Sequence, residues 1–367
     1  MILNEEQRLF EETLTAFLAE RANSQHLRAL RERPAHVGFD ADLWQALVEM
    51  GLPLITVPEQ HNGLAVGWLA AGAVAGTIGR ELSVTPFLSS VVLAQELLIS
   101  CGSPGQIDAY LPALLDGTET WSVAMNEGNG FNPEHWSRWS GDTPLTVRKT
   151  MVMEGAQADR LLVVNRNAEG GFSVFLLTPS AEGAQVEPQR LMDGRQYARL
   201  DCRDVPSEAV EWLEGDGVAV GCQRVLDCAT AILAAEMVGG ARALQEMTVR
   251  HLCEREQFGR KIGSFQALQH RAAQLYAEVE LAQSAVQAAL VALDRGQADA
   301  GRHCSAAKAL AGDCLQLASD EAVQLHGGMG VTDEMDVGLF LKRSRVCNQL
   351  LGTSAWHRAR YASLVGF

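Results

Sequence analysis

The chain has 367 residues, of which 47% are hydrophobic and 20% charged, and its formal net charge is −15. That composition holds material for more than one core and excludes a disordered protein. The acidic balance excludes non-specific nucleic-acid binding, which needs clustered Lys and Arg against phosphate, but not an anionic ligand, because one local Arg can hold a phosphate whatever the total.

In chain order, the start MILNEEQRLFEETL is acidic and lacks the basic and apolar regions of a signal peptide. Asn4 and Gln7 read as a capping box, with Leu9, Phe10, Leu14 and Leu18 following at helical spacing. DADLWQALVEMGLPL reads as a second helix, stopped at Gly51 and Pro53. VGWLAAGAVAGTIGREL is rich in small apolar residues, so close packing is expected, and LSSVVLAQELLIS and GQIDAYLPALLDG continue the helical pattern. Between about 119 and 219 the texture changes to short β-prone runs, TWSVAM, LTVRKTMVM, RLLVVNR, FSVFLLT and ARLDCRDV, separated by Gly, Asn, Asp and Pro. These predict a small antiparallel sheet or barrel. From about 222 the helical period returns: Leu268, Ala272, Leu275, Val279, Ala282, Val286 and Leu293 form one stripe, and Leu310, Cys314 and Leu317 another. The expected fold is α+β and mostly α, with an all-α domain at 1–118, a β-domain at 119–219 and an α-helical domain at 220–367.

No GxGxxG follows a strand, no P-loop occurs, and no run approaches the roughly 18 apolar residues of a membrane span. Eight cysteines stand singly without a CxxC, as reduced thiols acting as small buried hydrophobes do. None of the nine histidines stands with a carboxylate or Cys at metal-ligand spacing; His326 and His357 are expected to make structural hydrogen bonds. A cytoplasmic protein with no metal and no membrane span is the expectation.

Two segments carry the chemistry. REQFGRKIGSFQALQH offers Arg255 as a planar fork of donors suited to a pyrophosphate, Phe258 as a stacking face and Gly259 as bare backbone. Gln266 is placed to hydrogen-bond from the apolar side of its helix; a helix–turn–helix corner with a structural Arg fits the same residues. DEAVQLHGGMGVTDEMDVGLFLKRSR ends a helix at Gly327 and Gly328, with Gln324 on its last turn. The pair RxxFGxxIxxFQ and QxxGGxG, about seventy residues apart, follows VPEQHNGL, TIGREL and LPALLDGTETWSVAMNE. In this order the motifs resemble the acyl-CoA dehydrogenase family over nearly the whole chain.

The resemblance implies a helical domain, a β-domain and a C-terminal four-helix-bundle domain, with FAD bound where two subunits meet. Arg255 and Phe258 would reach the diphosphate and adenosine end of one FAD, with Gln266 near it. Gln324 and Gly328 would meet the same FAD from the neighbouring side, and Gly352 and Thr353 match the family's turn beside the flavin. It also implies an acyl-CoA substrate, an electron-transfer partner and an oligomer. In the family a glutamate takes the α-proton while the β-carbon gives a hydride to the flavin.

The chain departs from that pattern. The position directly before Gly352 is Leu351, and the family's alternative glutamate position, counted back from Gly259 without gaps, is Ala229, followed by Thr230. Neither leucine nor alanine accepts a proton. The flavin-cradling loop reads NEGNGFNPEHW, and the strand that follows ends in MVME, Met151 to Glu154. Only Asn126 and Met153 carry over there, as backbone-contact positions. Glu236, seven residues past Ala229, is an alternative base or a structural glutamate paired with an Arg; Asp227 reads as a helix-start residue. The expected function is a FAD-dependent acyl-CoA dehydrogenase subunit without its own glutamate, resembling the base-lacking subunits of bacterial heterotetrameric enzymes of the steroid side-chain type. It would complete FAD sites with a glutamate-bearing homologue. A self-sufficient homo-oligomeric oxidoreductase using Glu236 and a scaffold protein without FAD are the alternatives.

Overall fold

The computed structural model describes residues 3–128, 130–215 and 217–367 of the protein. Helix α1 (Glu5–Arg21) starts where the capping box predicts: Asn4 Oδ1 takes the Gln7 N–H, and Gln7 Oε1 takes the Asn4 N–H. Helices α2 (Ser24–Arg31) and α3 (Ala41–Glu49) follow, α3 ending at Gly51 in the left-handed region with φ 84°. Helices α4 (Trp68–Glu81), α5 (Glu96–Cys101) and α6 (Pro104–Leu115) complete the N-terminal part. The sequence reads LSSVVLAQELLIS as ordinary helix, yet Phe87–Gln95 is wound as π-helix. All nine of its side chains are buried, so packing rather than local propensity sets its winding.

The strands β1 (Trp121–Ala124), β2 (Leu145–Met153), β3 (Arg160–Arg166), β4 (Phe172–Leu177), β5 (Ala184–Arg190), β6 (Gln196–Val205) and β7 (Val210–Trp212) form two sheets, ordered β1-β3-β4-β7 and β2-β6-β5. Leu161, Val163, Phe175 and Leu177 of one sheet share a core with Leu145, Val147, Ala198 and Leu200 of the other. Pairing is antiparallel as expected except for β1 with β3, which run parallel because the chain builds β2 in the second sheet before returning. Strand β5, AQVEPQR, escapes the sequence reading because it is polar and carries Pro188, which an edge strand tolerates.

The C-terminal part comprises α7 (Val218–Glu254), a hairpin of β8 (Glu256–Gln257) and β9 (Arg260–Lys261), and helices α8 (Gln266–Asp294), α9 (Ala300–His326), α10 (Val337–Gln349) and α11 (Ser354–Leu364). Helices α7, α8 and α9 pack together, α10 lies against α7 and α9, and α11 lies along α9. On α8 the predicted stripe is inside from Leu275 to Leu293. On α9 the stripe is rotated: Leu310 is 43% exposed, while Lys308 lies within the buried face of Cys304, Ala307, Ala311 and Leu315. Helix α7 contains an 18-residue window of mean hydropathy 1.5, apolar enough to cross a membrane by length and composition, which a search for unbroken apolar runs passes over. Most of that window is buried among neighbouring helices. The small residues of α4 are required at its crossing with α7, since a Cβ on Gly79 would lie 1.8 Å from the Glu236 carbonyl oxygen. That backbone contact brings Glu236 to the junction of the N-terminal helices, the sheets and the C-terminal helices.

Candidate functional site

The residues marked out by the sequence fall into two groups. The first lies at the shared end of α7 and α9, where the His251 and His326 rings stack with centroids 4.3 Å apart. Arg255 caps α7 there, exposed and with no ion-pair partner among the described residues. Phe258 and Gly259 are the two turn residues of the β8–β9 hairpin, with φ 54° and 75°, as a two-residue turn between strands requires. The Phe258 ring is 89% exposed, and no atom lies within 4 Å of where a Cβ would sit on Gly259 or Gly328. Gln266 and Gln324 are both exposed. Gln266 therefore does not point to the apolar side of its helix: it is the first residue of α8, ahead of the buried stripe. The two segments adjoin at this end of the helices as one open platform.

The second group is buried. Asn126 is tied to the second sheet through its carbonyl, which accepts from the Thr150 N–H at 2.8 Å, while its side-chain Oδ1 is buried without a donor. The loop behind it is anchored by Lys149, whose side chain has no exposure and whose Nζ donates to Glu127 Oε1 at 2.6 Å and to the Val164 carbonyl at 2.7 Å. Burial, opposed by Glu127, draws the Lys149 pKa down to about 8. Farther along, Phe131 sets its edge against Trp356 and Trp136, at 5.1 and 5.7 Å between centroids; Asn129 lies outside the described residues. The Met153 carbonyl accepts from the Ser122 hydroxyl at 2.5 Å. Gly352 has φ 102°, and a Cβ there would lie 2.7 Å from the Trp356 ring; Thr353 caps α11 by accepting the Trp356 N–H. Gln324 is sixteen residues beyond Lys308, the α9 residue that touches Gly352, which places the two groups roughly 24 Å apart along the helix.

Both positions where a family glutamate is expected are apolar and buried, Ala229 with no exposure and Leu351 with 3%. Glu236 is no free base. Its Oε1 accepts from Arg195 at 3.2 Å and Arg343 at 3.1 Å, and both guanidinium groups also contact Asp193, at 2.7 and 3.2 Å. This closed ring of two cations and two carboxylates is buried throughout. Glu154 adjoins it, and burial pushes its carboxyl up to about 7, against Ser89 and Arg195. The cavity that Glu154, Glu236 and Met153 share measures only about 20 Å3. Asp227 is not at a helix start but nine residues inside α7, paired with Arg360 at 2.6 Å. It lines a cleft of about 620 Å3 between the sheets and α7 and α11, whose walls include Phe131, Arg166, Thr230 and Trp356. That volume is in the range of small-molecule sites, and the cleft reaches α7 beside Ala229 and α11 just past Thr353. The sequence reading passed over Lys149, Arg195, Lys308 and Arg343 because long cations are ordinarily solvated; only their buried partners reveal them.

Residues 4–118 match the family model for the acyl-CoA dehydrogenase N-terminal domain, and residues 215–365 that for the C-terminal domain. The chain is 30% identical to acyl-CoA dehydrogenase IpdE2 of Mycobacterium tuberculosis over 95% of its length and 93% of the relative's. It is 29% identical to IpdE2 of Mycolicibacterium smegmatis, over 95% and 96%. Among solved structures, the ChsE4–ChsE5 complex from Mycobacterium tuberculosis superposes with a TM-score of 0.88 at 25% identity, covering 99% of this chain and 98% of that one. The Tcur3481–Tcur3483 steroid ACAD does so with 0.88 at 27%, covering 98% of each.

Proposed function

The chain belongs to the acyl-CoA dehydrogenase family, oxidoreductases acting on CH–CH groups, and from that premise we propose that it is a base-lacking subunit which completes FAD sites with a glutamate-bearing homologue. The observation that carries the reading is that the two motif segments stand together at one open end of the helices while two buried apolar residues, Leu351 and Ala229, stand where a base belongs. The residues fit the cofactor. On the platform, Arg255 would hold the diphosphate, Phe258 would stack on the adenosine end, and Gly328 leaves room for close approach. In the buried group the unpartnered Asn126 Oδ1 is an acceptor for a ring N–H, and Gly352 and Thr353 present backbone. FAD supplies the hydride acceptor; this chain's residues bind and orient it. The thioester would enter by the 620 Å3 cleft, with Arg166 and Arg360 in its walls. A second component is supported by the two-component names of the ChsE4–ChsE5 complex and the Tcur3481–Tcur3483 enzyme, and the glutamate is assigned to it because this chain has Leu351 and Ala229 at the expected positions. Glu236, the alternative base, shares its Oε1 between the guanidinium groups of Arg195 and Arg343.

The test is flavin binding. The purified chain, alone and with a glutamate-bearing homologue, is titrated with FAD and bound flavin is read from its visible absorption. Binding that Arg255→Ala weakens at least tenfold is expected. A colourless chain under both conditions removes the reading in favour of a scaffold.

A further inference from the structure

We propose that Lys308 is a positioning residue which, with His357, locks the Leu351–Thr353 turn into the shape that the flavin site uses. The inference rests on the FAD reading above. Lys308 lies on α9 with no exposure and with no carboxylate in ion-pair reach among the described residues. Its Nζ donates to the carbonyl oxygens of Cys347 at 3.1 Å and Gly352 at 3.0 Å. From the other side His357, also buried, bonds through Nε2 to the Leu351 carbonyl at 2.8 Å. Burial, reinforced by the charge of Lys308, depresses the His357 pKa to about 3, so the ring is neutral and carries its proton on Nε2, the nitrogen that donates. Three carbonyls of one six-residue stretch, 347, 351 and 352, are thus held by two side chains from different helices.

What they hold is strained. Leu351 has φ 54° and Gly352 φ 102°, consecutive values that side-chain-bearing residues rarely adopt. Strain kept at a site whose side chain is inert leucine points to a use for the backbone itself. The neighbouring helix is shaped to the same end. Gly312, one turn past Lys308, brings α9 so close that a Cβ there would lie 2.3 Å from Ser354 Oγ. An ammonium buried among carbonyls costs solvation that an apolar side chain of equal length would not, and burial draws its pKa down to about 8. A core position needing only bulk would be filled by methionine; a turn needing two donors to neighbouring carbonyls requires the ammonium.

The experiment compares Lys308→Met, which keeps length and removes the donors, with Lys308→Gln, which keeps a neutral donor. The full chain is used, or its complex if flavin binds only there. Two quantities are read: FAD affinity by flavin fluorescence, and amide hydrogen exchange of the flavin-free chain over residues 347–357. The lock predicts that Lys308→Met weakens FAD at least tenfold and speeds exchange in that stretch alone, with Lys308→Gln recovering part of both. Unchanged exchange, or acceleration spread evenly over all helices, overturns it, because Lys308 is then an ordinary core residue. Should the wild-type chain bind no FAD at all, the flavin reading falls and the exchange comparison alone decides the lock; should the methionine variant not fold, the glutamine variant against wild type decides it.

Discussion

Glu236 separates structural from catalytic charge. Its carboxylate neutralises Arg195 and Arg343 in a ring closed by Asp193, with every member buried. Removing one partner of such a network leaves a buried cation uncompensated, at about 3–5 kcal/mol. Glu236→Gln is therefore expected to lower the unfolding free energy from denaturant titration by that much, while turnover per folded molecule of an assembled enzyme stays unchanged; normal stability with lost turnover would make it the base after all. Glu154 gives a pH signature of its own. Its ordinary pKa of 4.5 holds in the unfolded chain, whereas the folded value is about 7. Below 4.5 the carboxyl is protonated in both states; between 4.5 and 7 only the folded state keeps its proton, so stability falls as pH rises through that window. The full span is worth about 3 kcal/mol. Glu154→Gln should remove this slope in denaturation curves taken from pH 4.5 to 8, and an unaltered slope would assign it to another group.

At the scale of elements, the β8–β9 hairpin is a projection whose fold needs little of its tip. Phe258 is 89% exposed and touches only the edge of Phe265, 6.1 Å between centroids. Phe258→Ala should leave the melting temperature of the isolated chain unchanged and weaken FAD-dependent assembly by roughly thirtyfold, the scale of losing an aromatic anchor of about 2 kcal/mol. A lowered melting temperature with normal assembly would make the ring structural. The capped α1, the α8 stripe and the order of helices and strands were legible in sequence because local chemistry decides them, a cap and a hydrophobic period; the β8–β9 hairpin, which stands where a helix–turn–helix corner was the alternative reading, was not. The π-helical Phe87–Gln95, the edge strand β5 and the rotated face of α9 were not, since neighbours decide those. The same divide runs through the site. Arg255, Phe258 and Gly328 stand in recognisable motifs, whereas Lys308 and the Arg195–Arg343 ring read as solvent-facing cations until their buried partners are seen. Gln266 was misjudged in setting, because periodicity does not say where a helix end emerges into solvent.

For the whole molecule, the residues that the motifs mark out for FAD fall into two groups, one open at the end of the bundle and one enclosed roughly 24 Å away along α9, with Leu351 and Ala229 at the two positions where the family glutamate is expected. The cavity of about 20 Å3 near Met153 is small, whereas the cleft of about 620 Å3 lined by Thr230 and Trp356 is in the range of small-molecule sites. Under the function proposed above, the chain turns over substrate only with its partner. The measurement that bears most directly on this is acyl-CoA-dependent reduction of an artificial electron acceptor, with the purified FAD-saturated chain alone and after co-purification with a glutamate-bearing homologue. No turnover alone and at least a hundredfold more in the complex, as a missing general base requires, is the predicted result; equal specific activity of the chain by itself would contradict it.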